Sequence, residues 1–167
     1  LPWLQINLLT SFLAAAVVGI FESTINEITA LAVLLPVVAG QSGNTGAQAL
    51  AVTLRGLSLR EIRVQHWWPV LRKELGTGFL NGIAVAIVAM IGVWLWSGSA
   101  GLCGVIGLSM TISMCIAGGA GALVPIILKS LNQDPAQSSS IVITTVTDVT
   151  GFFSFLGLAT LFIEYLL

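Results

Sequence analysis

Asp148 is a bare carboxylate in a chain that is otherwise largely apolar, and it stands in register with other oxygen-bearing side chains. Ser140, Thr144 and Asp148 fall at i, i+4 and i+8, so on a helix they stack along one face, which Thr147 and Gly151 border. Between Ser138 and the C-terminus there is no Lys or Arg, and the only other charge is Glu164. An Asp at the centre of a membrane helix costs about 2.5–3.5 kcal/mol on insertion scales, so it is read first as a functional group facing water or a partner. At about 1.5 Å per residue from Ser138, Asp148 lies roughly 15 Å along such a helix.

A second polar face occurs earlier. Gly40, Gly43, Asn44, Ala47 and Gln48 fall at i, i+3, i+4, i+7 and i+8, with Gln41 and Thr45 beside them. Pro36 precedes them in the same apolar segment, where its missing N–H frees a carbonyl or kinks the helix. Irregular backbone at membrane depth is tolerated only where it is buried in protein or lines a wet cavity. The alternative is a dry seam, with hydroxyls bonded across it and small residues allowing close approach. That alternative accounts for Ser140 and Thr144 but leaves Asp148 without a partner.

Carbonyls, amides, hydroxyls and one carboxylate are hard oxygen donors, and no thiolate or imidazole lies near them. Such a set suits Mg²⁺ or Ca²⁺; Mg²⁺ in particular keeps several waters and uses one or two carboxylates. One embedded acid per chain is thin for a divalent ion. A twofold axis would bring two Asp148 side chains together, so the expected assembly is a homodimer with its pore on that axis.

The elements that must hold these faces follow from composition. Of 167 residues, 56% are hydrophobic and 8% charged, and the mean hydropathy is +1.01, whereas a soluble domain is about 25% charged. The expectation is a single all-α integral membrane domain over residues 1–167, with five transmembrane helices. The spans are about 2–21, 27–54, 74–96, 101–128 and 138–165, each supplying the roughly 20 residues a crossing needs. Residues 55–73 would form a cytoplasmic interfacial segment, helical along the surface from Ser58 to Lys73, with His66 a polar interfacial residue. Arg55, Arg60, Arg63, Arg72, Lys73 and Lys129 all fall in loops on one side, while Glu22, Glu27 and Glu164 fall on the other. The basic side is cytoplasmic. This places the N-terminus inside and the C-terminus outside an inner (plasma) membrane, with Trp67 and Trp68 at the inner interface and Trp94 and Trp96 at the outer. Cys103 and Cys115 lie in one apolar stretch and read as small core residues. The lipid bilayer and divalent cations are the expected partners; nucleic acid is not.

These residues resemble a known family. The run Pro36-Val37-Val38-Ala39-Gly40-Gln41-Ser42-Gly43-Asn44-Thr45-Gly46-Ala47-Gln48, taken with Thr145-Val146-Thr147-Asp148-Val149-Thr150-Gly151, is similar to the signature pair of the MgtE family of magnesium channels and transporters. The opening Leu1-Pro2-Trp3-Leu4 and Asn7-Leu8-Leu9-Thr10 also resemble the start of that family's membrane domain. The resemblance implies a homodimer whose second and fifth helices line a central pore. Asp148 would hold a hydrated Mg²⁺ through its waters, Gly40 and Gly43 would offer carbonyls, and Thr144 and Ser140 would line the same path; Asn44, on the polar face of the second span, is expected to join them. It also implies a cytosolic regulatory domain, which is expected to be missing from this chain. The family commonly has Met-Gly where this chain has Gln41-Ser42, a departure that bears on pore width.

Two rival readings belong to other classes. A secondary active cation transporter coupled to H⁺ or Na⁺ would favour inverted repeats, and the halves show no convincing similarity. An intramembrane aspartyl protease needs paired carboxylates, whereas Asp134 and the glutamates read as span-end residues. The chain is therefore not expected to be an enzyme. Channel and carrier stay open.

Overall fold

A computed structural model describes residues 2–166. Leu1, the first residue of the opening motif, and Leu167 lie outside them. Among the described residues every regular element is helical: α1 (Pro2–Ile20), α2 (Glu22–Glu27), α3 (Ala30–Ser58), α4 (Trp67–Ser97), α5 (Ala100–Ser130) and α6 (Pro135–Leu161), with 3₁₀ turns at Val64–His66 and Ile163–Tyr165. Helices α1, α4, α5 and α6 are long and apolar enough to cross a membrane. With 29 residues α3 also has the length, but Gln41, Asn44, Thr45 and Gln48 lower its hydropathy.

Local chemistry sets the ends of these helices. Gly98, at φ 66°, closes α4 in the left-handed conformation that a side chain would disfavour. Ser99 caps α5, its Oγ accepting from the Leu102 N–H at 3.2 Å. Asp134 caps α6, accepting from the Ala136 N–H at 2.9 Å, and Pro135 opens that helix, where no N–H is needed. Pro36 lies inside α3 without breaking it. Of the two effects expected of it, Pro36 at least leaves the Ala32 carbonyl without its i+4 N–H.

The separate helix expected from Ser58 to Lys73 is not formed. α3 continues to Ser58, and α4 begins at Trp67 rather than at residue 74. Between them the Gly56 carbonyl accepts from the N–H groups of Glu61 (2.9 Å) and Ile62 (3.0 Å), and Arg60 takes a left-handed φ of 58°. Pro69 sits in the first turn of α4, the one place where a helix tolerates it freely. The charges of Arg72 and Lys73 therefore ride on the first turns of a long helix.

α5 is the central element: α3, α4 and α6 all pack on it, while α1 leans mainly on α6. The bundle is built differently at its two ends. Leu31, Leu34 and Val38 of α3, Val93 of α4, Ile106 and Met110 of α5, and Phe155 and Leu156 of α6 form one continuous apolar core. Toward the Ser58 end, glycines bring the backbones together instead. A Cβ on Gly118 of α5 would lie 2.7 Å from the Glu74 carbonyl oxygen of α4, and one on Gly78 of α4 would lie 2.6 Å from the Met114 carbonyl oxygen of α5.

Candidate functional site

α3 and α6 lie side by side and run in opposite directions. A Cβ built on Gly46 would stand 2.8 Å from Ile143 Cγ2 and 3.2 Å from Thr147 Cγ2; one on Gly151 would stand 3.3 Å from Ser42 Oγ. Val38, Ser42, Ile143 and Thr147 are buried in this seam. Small residues at this spacing let the helices close up, so the seam is a packing surface.

Beside the seam lie the two polar faces. Asp148 is the central residue of α6. It is half-buried, Thr144 and Ser140 are exposed on the same face, and on α3 Gly40 and Asn44 are exposed while Gly43 is half-buried. The six expected site residues therefore occupy neighbouring helices, mostly on surface that a single chain leaves open. Thr147 and Gly151 do not share it. Both are buried against α3, because a turn of 100° per residue carries them round to the neighbouring helix.

Most hydroxyls of α6 are satisfied within their own helix, whereas the buried Ser139 hydroxyl has no partner among the described residues. Thr144 Oγ1 donates to the Ser140 carbonyl at 2.9 Å, Thr145 Oγ1 to the Ile141 carbonyl at 3.0 Å and Thr150 Oγ1 to the Val146 carbonyl at 2.6 Å. On α3, Ser42 Oγ donates to the Val38 carbonyl at 2.9 Å and Thr45 Oγ1 to the Gln41 carbonyl at 3.0 Å. A side-chain bond between hydroxyls of different helices does occur at Thr24 and Thr160, 2.9 Å apart on α2 and α6, well away from Asp148. Shape, not hydroxyl bonding, holds α3 against α6.

The Asp148 carboxylate makes no hydrogen bond or ion pair with a described residue. No group of three or more His, Cys, Asp or Glu side chains that could hold a metal forms among the described residues. One carboxylate flanked by hydroxyls and an amide suits an ion that retains its water rather than one stripped of it.

One polar residue escaped the sequence reading altogether. Glu74, placed there at a span end, is buried at 8% exposure. The available signal was its spacing: Gly78 and Gly82 follow at i+4 and i+8, marking a close-packed face that Glu74 shares.

Comparison with known proteins agrees with the two signature runs. The family model described as "MgtE: Divalent cation transporter" matches residues 35–158. The chain is 35% identical over 162 residues to the magnesium transporter MgtE of Thermus thermophilus, covering 97% of this chain and 36% of that protein. Against the magnesium transporter MgtE of Bacillus subtilis it is 34% identical over 167 residues, 99% of this chain and 37% of that protein. The chain belongs to the MgtE family of divalent cation transporters. It spans a little over a third of the length of these relatives.

Proposed function

We propose that this chain forms a cation-conducting membrane domain that moves hydrated Mg²⁺ across a plasma membrane. It works as a homodimer in which α3 and α6 of both copies enclose the path, and α3 joins the four more apolar helices as a fifth span. The observation that carries this reading is Asp148: a carboxylate at the centre of an apolar helix, with no partner among the described residues, on a polar face that one chain leaves open. Two copies related by a twofold axis would set two such carboxylates around one ion. Asp148 supplies charge, Thr144, Ser140 and Asn44 supply neutral oxygens, and Gly40 and Gly43 keep the wall thin and their carbonyls near. The names of the related proteins support Mg²⁺ as the cargo. The basic loop ends are cytoplasmic, which puts the start of α1 inside and the end of α6 outside.

The test is flux into liposomes holding a Mg²⁺ indicator. Unit charges about 4 Å apart interact by about 4 kcal/mol at an effective dielectric of 20 and by about 1 kcal/mol in bulk water. A half-buried carboxylate falls between these limits, and about 1.4 kcal/mol is a factor of ten. Asp148→Asn should therefore lower Mg²⁺ flux at least about tenfold or abolish its preference over monovalent ions, while Thr144→Ala, which removes only a dipole, should stay within about threefold. Wild-type, Mg²⁺-selective flux through Asp148→Asn would overturn the reading.

A further inference from the structure

Glu74 has no role in the pore just described, and its surroundings give it one. α3 and α4 each pack against α5, and between them lies a cavity of about 240 Å³ lined by Thr45 and Gln48 of α3 and by Lys73, Glu74, Thr77 and Asn81 of α4. Glu74 is more than nine-tenths buried. Its carboxylate makes no hydrogen bond or ion pair with any described residue. The burial has a clear cause: Gly118 lets the main chain of α4 at Glu74 press directly on α5, which carries the side chain beneath the neighbouring helix.

The Glu74 carboxylate oxygens are not among the fully enclosed unpartnered atoms, so they open on the cavity, where an unpaired negative charge draws something positive. Lys73 is the nearest candidate in the sequence, but adjacent helical residues point about 100° apart and do not face one another. Lys73 is also exposed, so its ammonium belongs to the cavity mouth. The remaining polar lining groups are hydroxyls and amides, neutral donors and acceptors that suit a water shell. At about 240 Å³ the cavity is far larger than the roughly 30 Å³ share of one water and can hold several.

We propose that this cavity is a second cation site, separate from Asp148, in which Glu74 and the amide oxygens of Gln48 and Asn81 take one hydrated divalent cation, more weakly than two carboxylates would. Gln48 belongs to both the cavity and the polar face of α3, and the cavity centre lies about 8 Å further along α3 than Gly43, toward the Ser58 end. The site is thus a station at the cytoplasmic end of the ion path. That placement rests on the pore reading; binding of the cation does not.

Mn²⁺ is the probe, its binding to the purified full chain in lipid nanodiscs read by electron paramagnetic resonance. Glu74→Gln should weaken one class of bound Mn²⁺ at least about tenfold and leave the other, and Asp148→Asn should do the reverse. Unchanged binding in Glu74→Gln would overturn the second site, whereas unchanged binding in Asp148→Asn would strike the pore reading alone. As a readout independent of that variant's folding, Thr77→Cys in a C103A/C115A background should react with a water-soluble thiol reagent several-fold more slowly when Mg²⁺ is present. Equal rates with and without Mg²⁺, or equal protection by Na⁺ at the same concentration, would also overturn the proposal.

Discussion

Gly118→Ala is the sharpest test of how the Ser58 end of the bundle is built. The new methyl carbon would stand 2.7 Å from the Glu74 carbonyl oxygen and 3.4 Å from Gly78 Cα, where ordinary van der Waals contact begins at 3.4 Å. Both neighbours are backbone atoms, so no side chain can turn aside. α4 and α5 must part by about 0.7 Å at that level, and overpacking of this kind costs about 1–3 kcal/mol. Gly104, on the same helix, supplies the control, because its Cβ would meet nothing within 4 Å. Gly104→Ala should be neutral or gain up to about 1 kcal/mol from helix propensity. The propensity gain is common to both variants, so they should differ by the overpacking alone, about 1–3 kcal/mol, although each adds one methyl group to one helix. Thermal unfolding in detergent, followed by loss of the monodisperse peak on size-exclusion chromatography, ranks them directly, at about 2–4 °C per kcal/mol for a chain of this length. Equal melting of the two variants would refute the idea that α4 and α5 touch backbone to backbone here.

Three further outcomes follow from burial and charge. Cysteines at Asn44 and Thr144 should react with small water-soluble thiol reagents, while cysteines at Ser42 and Thr147, both fully buried, should not; the opposite pattern would exchange pore and seam. Cysteines at Ser58 and Glu22 should label from opposite sides of the membrane, and labelling from the same side would remove α3 from the spans. Thr53→Val should hold or raise stability by up to about 1 kcal/mol, because the Thr53 hydroxyl is buried with no partner and valine keeps its shape; a loss above about 1 kcal/mol would mean that the hydroxyl is bonded.

Much of the candidate site was legible because it depends on one helix at a time. Ser140, Thr144 and Asp148 share a face wherever α6 packs, and Gly40 and Asn44 share one on α3, so a periodicity of 3.6 residues is enough to group them. Thr147 and Gly151 show where that reasoning stops. Which of two adjacent stripes is buried is decided by the partner helix, and α3 chose the one holding Thr147. Glu74 fails for the same reason: Arg72-Lys73-Glu74 looks like a solvated helix start, and only the approach of α4 to α5 at Gly118 turns its third member inward. The start of α4 was masked by its own charges, although Pro69 marks a first turn as plainly as any residue in the chain.

The hydroxyls of α6 have a consequence for the sign of what can pass. Thr144, Thr145 and Thr150 each turn the O–H proton inward to a carbonyl of their own helix. What each presents outward is oxygen with lone pairs and no hydrogen. Of the three, Thr144 shares the face of Asp148, so beside the carboxylate that position presents an acceptor rather than a donor. To greet a chloride ion each hydroxyl would first have to give up an intrahelical bond worth about 0.5–1.5 kcal/mol, whereas the water around a cation points its oxygens inward and its hydrogens toward such an acceptor. If α6 lines the proposed path, Thr144 would thus favour a cation over an anion at that level, before any charge on Asp148 is counted.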